Sequence, residues 1–320
     1  MTTPASRVLL IGGSGFLGQH LMRACLLSKM EVRVADAVVA EVSRRENKVE
    51  YMQGDYRDPA FLHEIVDGSD VVFHLVHDSM YLNAECNMAV EFDRNIRPAI
   101  QLMEKCCELK TAKLIFLSSG GTVYGNHSVC APISEDSRTH PISLYGTSKL
   151  MMEQIGFLYH FQKNLPFIVA RPTNAYGPGQ QPFRGQGFIS TAFASVLAGR
   201  SVNVFGDGSV VRDYVHARDI ADALVALINR SQPGEAYNIG TSIGTSLKTL
   251  INQYLIPIVS ADGFEFRCEY MAARGMDVAY NVVSNEKLFR ETGFVPSIGM
   301  DQGLRETWAW LKQNSGVVPA

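Results

Sequence analysis

Short apolar runs recur through the first half of the chain, each closed by glycine or a polar turn: RVLLIG (7–12), EVRVAD (31–36), DVVFHLV (70–76), KLIFLSS (113–119) and PFIVARP (166–172). They are apolar almost throughout, the pattern of strands covered on both faces. Segments with helical spacing lie between them, such as Leu17 to Leu27 and Ala89 to Leu109. Strands alternating with helices predict an α/β fold: a doubly wound, Rossmann-like parallel sheet with helices on both faces. Past Pro172 the pattern loosens, and glycine and proline gather in NAYGPGQQPFRGQG (174–187). There the chain is expected to leave the sheet. RDYVHARDIADALVALINR (212–230) reads as a short strand and an amphipathic helix that return to it. From Gly240 onward short strands and helices mix, ending in a helix around Met300 to Gln313. The expected division is a first domain of 1–173 plus about 210–240, and a smaller mixed α/β domain of 174–209 plus 241–320.

Composition narrows the classes. Of 320 residues, 46% are hydrophobic and 19% charged, as in a soluble globular protein. No stretch approaches the roughly 18 apolar residues of a membrane span, and the run at Val8–Ile11 lacks a cleavage-site pattern, so a cytoplasmic, membrane-free protein is expected. A net charge of −3 offers no basic field for nucleic acid. The six cysteines show no C-x-x-C pair and no companion histidine at metal-ligand spacing. They predict reduced thiols, mostly buried, and no metal site.

Chemistry enters at the first strand. RVLLI runs through Gly12-Gly13-Ser14-Gly15-Phe16-Leu17-Gly18 into a helix. Glycines at 12, 15 and 18, with Gly13 completing G-x-G-x-x-G, let the backbone approach a pyrophosphate and aim helix N-terminal amides at it. The second strand ends in Asp36, placed to accept hydrogen bonds from the adenosine ribose and to repel the extra phosphate of NADP. The expected cofactor is NAD. A second constellation is Tyr145-Gly-Thr-Ser-Lys149, a phenol and an ammonium one helical turn apart. A fixed cation stabilises a phenolate, so Tyr145 can exchange a proton with a substrate hydroxyl.

With these two motifs, FLSSGGTVYG (116–125), SLYGTSKLMMEQ (143–154), RPTNAYGPG (171–179) and GDGSVVRDYVHARDIADAL (206–224) stand in the order seen in the extended short-chain dehydrogenases/reductases that act on nucleotide sugars. The chain resembles that family, the NAD-dependent epimerases/dehydratases, from about Val8 to Trp310. The resemblance implies that Tyr145 and Lys149 are catalytic, with Lys149 also holding the nicotinamide ribose. It implies a Ser or Thr beside them, yet the position that carries it in UDP-galactose 4-epimerases is Gly120 here. Thr122 is the nearest replacement and Ser119 the second. Asp55, with Tyr56, resembles the acidic site for the adenine amine; Leu75 and Val76 line the nicotinamide side; Ser118 lies beside the cofactor and reads as a turn residue. Asn95 reads as a structural brace and His74 as core.

Two arginines, Arg212 and Arg274, resemble the family's clamp on the diphosphate, a task suited to planar bidentate donors. Asn174 resembles the contact near the sugar, and Asp277 that to the nucleoside ribose. Asn281 falls where epimerases restricted to plain hexoses carry a Tyr, which predicts room for a C2 acetamido group unless Tyr280 takes the place. The loop lacks the Asp-Glu pair of the dehydratases, the Glu of the decarboxylases, and the Cys of the epimerase-reductases. What is left is C4 epimerisation of a UDP-sugar, with dTDP and GDP open, through a 4-keto intermediate. Two alternatives stand beside it: a nucleotide-sugar dehydrogenase or reductase, and a catalytically silent NAD-sensing regulator. A homodimer through the helices at 89–109 and 145–163 is implied by the resemblance.

Overall fold

The computed structural model describes residues 6–39, 46–78, 87–127, 130–185, 187–273 and 278–314. The apolar runs form strands buried along most of their length, β1 (Arg7–Ile11), β2 (Glu31–Asp36), β4 (Val71–His74), β5 (Lys113–Leu117) and β6 (Phe167–Pro172), and a partly exposed strand, β3 (Val49–Gln53), follows the second of them. With β10 (Glu235–Ile239) they make one parallel sheet of seven strands in the order β10-β6-β5-β4-β1-β2-β3. The order reverses between β1 and β4, and at such a switch point a crevice opens beyond the strand ends. Ile11 and His74 are paired there.

Successive β1 residues point to opposite sides. Val8 and Leu10 pack into a core with α1 (Phe16–Leu27) and α7 (Ala217–Arg230). Leu9 and Ile11 enter a second core with α2 (Pro59–Val66), α4 (Arg97–Glu108) and α5 (Leu144–Lys163). A short helix, α3 (Met88–Glu91), runs through a π-helical turn at Phe92–Ile96 into α4. Pro98 at the head of α4 cannot donate to the helical ladder, consistent with a wider turn just upstream.

After β6 the chain forms β7 (Asn174–Tyr176), α6 (Phe188–Leu197) and β8 (Val202–Phe205). Strand β9 (Val211–His216) centres a second sheet: parallel to β7 and to β13 (Tyr280–Asn281), antiparallel to β11 (Gly244–Ser246). A further strand, β12 (Cys268–Met271), pairs in parallel with β8. A third core under this sheet joins Phe193, Leu250 and Trp308. Leu158 and Phe161 stand exposed on α5, one of the helices expected to meet a second copy. The cysteines depart from expectation: Cys25 and Cys106 are buried, Cys107 and Cys268 are partly open, and Cys130 is exposed, while Cys86 lies outside the described residues. Among the described residues no helix is long and apolar enough to cross a membrane.

Candidate active site

Two cavities flank the carboxyl ends of the large sheet. One, of about 340 Å³, has Asp36, Asp55, Tyr56, Arg57, Val76 and His77 on its wall. The other, of about 400 Å³, reaches from the glycine turn and α5 to the second sheet, with Leu17, Thr122, Tyr145, Asn174 and Arg212 among its walls.

The glycine turn is shaped by close packing. A Cβ on Gly18 would come within 2.6 Å of the Gly12 carbonyl oxygen and Gly13 Cα, so only glycine lets α1 sit against the strand end. Gly15 caps α1 without a side-chain hydrogen bond, leaving helix N-terminal amides for another acceptor. The buried Ser14 hydroxyl has no partner among the described residues. Asp36 is pinned at the cavity wall by Ser14 N–H, which donates to Oδ2 at 3.1 Å. Asp55 is held by the Arg57 side chain, whose Nε donates to both carboxylate oxygens at 2.9 Å. That bonding keeps its pKa below the usual carboxylate value. Phe16 and Leu17 line the larger cavity, Tyr56 and Val76 the smaller, and Leu75 packs on the core behind.

Helix α5 begins where Ser143 Oγ accepts from Gly146 N at 3.1 Å, which sets Tyr145 in the first turn and Lys149 one turn on. Lys149 is buried; its Nζ donates to the Leu117 carbonyl at 2.7 Å and lies 5.7 Å from the centre of the Tyr145 ring. Burial drags its pKa from 10.5 down to about 7, against the pull of Glu153 and Glu91.

Behind this pair runs a buried polar network that sequence patterns did not reveal. Arg171 donates to Glu153 through Nε at 3.0 Å and Nη2 at 2.6 Å, and to Tyr124 Oη at 2.9 Å; Tyr124 in turn donates to Asn238 Oδ1 at 2.7 Å. Ser118 is buried and donates to Glu153, so its hydroxyl serves this network. The only signal in the sequence was an Arg inside the apolar run of β6 and a Glu one turn past Lys149.

Packing against the β6 backbone explains Gly120. A Cβ there would stand 2.7 Å from the Arg171 carbonyl oxygen, so the loop packs too closely on β6 for a side chain. Thr122 and Ser119 both line the larger cavity with Tyr145, and the buried Thr122 hydroxyl has no hydrogen-bond partner among the described residues. Asn281 is 1% exposed. Its Nδ2 donates to the Gly120 carbonyl at 3.0 Å, bracing the loop, while its buried Oδ1 has no hydrogen-bond partner among the described residues. Asn174 and Arg212 line the cavity; Asn174 Nδ2 donates to the Asp213 carbonyl at 3.1 Å and Arg212 Nη1 to the Val211 carbonyl at 2.9 Å. Arg274 and Asp277 lie outside the described residues.

His74 is core, bonded to Tyr56 Oη at 3.3 Å and pushed by burial to a pKa of about 3. Asn95 is a brace: its Oδ1 accepts from Asp78 N at 2.6 Å and its Nδ2 donates to Glu91 at 3.1 Å. His77, which the sequence reading passed over, packs edge-on to Tyr145 with ring centres 4.7 Å apart.

Known proteins resemble this chain along nearly its whole length. The profile of the NAD dependent epimerase/dehydratase family matches residues 8–240. A protein of Methanocaldococcus jannaschii, provisionally assigned as a UDP-glucose 4-epimerase, is 30% identical over 96% of this chain and 99% of its own. The crystal structure of UDP-glucose 4-epimerase from Thermotoga maritima with UDP-glucose superposes with a TM-score of 0.89 at 28% identity, covering 97% and 99% of the two chains. That of dTDP-glucose 4,6-dehydratase from Streptomyces venezuelae, with NAD bound, reaches 0.88 at 25% identity and 98% of each. The glycine turn, the Tyr145–Lys149 pair and a profile match across most of the chain make this protein a member of the NAD-dependent epimerase/dehydratase family.

Proposed function

We propose that the protein interconverts the C4 epimers of a nucleotide sugar, a UDP-hexose or UDP-N-acetylhexosamine or the related uronate, using tightly held NAD. The observation that carries the reading is the shared wall of the larger cavity, where the phenol of Tyr145 and the orphaned hydroxyl of Thr122 meet with the buried Lys149 ammonium behind the ring.

The residues fit the cofactor. The uncapped amides at the head of α1 and the buried, unpartnered Ser14 hydroxyl suit a pyrophosphate, and Asp36 suits an unphosphorylated ribose. Asp55 and Tyr56 would flank the adenine, Val76 and Leu75 the path toward the nicotinamide, and Lys149 the second ribose. When bound, NAD supplies a hydride acceptor at carbon and, within the same turnover, a hydride donor. This chain's residues move the proton. Lys149 stabilises the Tyr145 phenolate, which accepts the proton of the C4 hydroxyl and later returns it, while Thr122 hydrogen-bonds the same oxygen. Ser119 is a second hydroxyl within the cavity. Arg212 and Asn174 hold the diphosphate side, with Arg274 and Asp277 proposed to complete it. The large sheet is proposed to carry the cofactor and the second sheet the substrate.

Elimination of water would need an acid in the loop, and Gly120-Gly121-Thr122-Val123 supplies none. Tyr145→Phe tests the reading. Turnover is expected to fall at least about a hundredfold, the scale of a lost general acid/base, with NAD still bound. Activity within a few-fold of the parent would remove Tyr145 from the role.

A further inference from the structure

We propose that His77, held by Glu91, is a positioning residue that fixes the orientation and acidity of the Tyr145 phenol. The inference rests on Tyr145 being the proton-exchanging group. His77 lies three residues beyond the end of β4, on the wall of the cofactor-side cavity, while Tyr145 lines the other cavity. The imidazole therefore stands between the two. Its ring meets the Tyr145 ring at 86° with centres 4.7 Å apart, the edge-to-face arrangement that aromatic pairs favour.

The imidazole also lies against Glu91. Nε2 lies 3.1 Å from Glu91 Oε1, a close approach oblique to the hydrogen-bond line, and both side chains are buried. Glu91 receives a hydrogen bond from Asn95 Nδ2 at 3.1 Å, and Asn95 is clamped to Asp78 through both ends of its amide. Asn95 belongs to the π-helical turn that follows α3, so that local widening of the helix has a use: it sets a carboxylate and an amide side by side under His77. The ring's Nδ1 is buried and has no hydrogen-bond partner among the described residues.

The charged and titratable groups around the imidazole are Lys149 on α5, Glu91 on α3, and Asp78 and His74 on the strand-end side. Burial, reinforced by Lys149, keeps His77 neutral at ordinary pH, with a pKa of about 4. A neutral imidazole leaning on Glu91 separates that carboxylate from the phenol. Without it, Glu91 becomes a negative charge facing Tyr145, which disfavours the phenolate.

The test uses the full chain loaded with NAD and reads two quantities: turnover, and the Tyr145 titration, taken as the near-ultraviolet phenolate absorbance of each protein minus that of its Tyr145→Phe counterpart. His77→Ala is expected to move the titration to higher pH and lower kcat about tenfold, with KM and bound NAD within about twofold. His77→Phe keeps a ring of similar bulk but loses the approach to Glu91, and should shift both readouts in the same direction. Combining His77→Ala with Glu91→Gln should cost no more than His77→Ala alone, because both act through one contact. The proposal is overturned if both His77 variants leave the titration and kcat unchanged, if the double variant's losses multiply, or if the loss falls only on KM or NAD retention. The titration reports on His77 even if Tyr145→Phe retained activity, so the two ideas fail separately.

Discussion

The glycine turn after β1 and the loop after β5 both border the candidate active site, and they are specified at different ranges. In the turn, Gly18 packs on Gly12 and Gly13 within seven residues, while Val76, just past β4, and Val34 of β2 press on Gly12 and Gly13. In the loop, Gly120 is pressed by Arg171, Ser118 bonds Glu153, and Asn281 reaches the Gly120 carbonyl across 161 positions. A site can thus be assembled from one part whose motif is contiguous in the sequence, though other strands close on it, and another whose partners are all distant in the chain.

The sharpest way to separate the two is to break the long-range part. Glu153→Gln leaves the Arg171 guanidinium buried without its carboxylate, and a severed buried pair costs about 3–5 kcal/mol. Thermal unfolding of the apo protein should show a drop of many degrees, together with loss of activity. A change no larger than that of an exposed substitution would mean the network does not hold the loop. Thr122→Val is a gentler cut, since it removes only the orphaned hydroxyl. A fall in kcat of roughly ten- to a hundredfold at unchanged stability is expected. If Ser119→Ala is the damaging change and Thr122→Val is silent, the hydroxyl role moves to Ser119.

Lys149 gives an effect whose sign can be worked out. Its folded pKa, about 7, lies below the ordinary 10.5, so between those values the unfolded chain binds a proton that the folded chain has released. Stability of the apo protein due to this group therefore rises as pH increases from about 7 toward 10.5, and the full penalty is present below 7. Comparing Lys149→Met with the parent by denaturant unfolding across that range isolates the term. The variant should gain relative stability at pH 6 and lose the gain at high pH. A pH-independent difference would contradict the buried, depressed ammonium.

The same contrast explains what could be read in advance. The strands and the parallel sheet followed from uninterrupted apolar runs such as RVLLI and KLIFL, and the glycine turn and the Tyr145–Lys149 spacing are local signatures. The Glu153–Arg171 pair was invisible because nothing in one sequence links a helix glutamate to a strand arginine 18 positions on. The bond from Asn281 to the Gly120 carbonyl spans two elements far apart in the chain and had no local signature. His77 was missed because nothing along the chain links it to Tyr145 or to Glu91.

The most direct test of the central claim is to incubate the protein with UDP-glucose, UDP-N-acetylglucosamine and their uronic acids, following the C4 configuration by proton NMR and NADH by absorbance in the same sample. The account predicts accumulation of the C4 epimer of at least one of these sugars to equilibrium, with no more NADH than enzyme present. NADH formed in step with substrate consumed, without an epimer, would contradict it and make the protein a dehydrogenase.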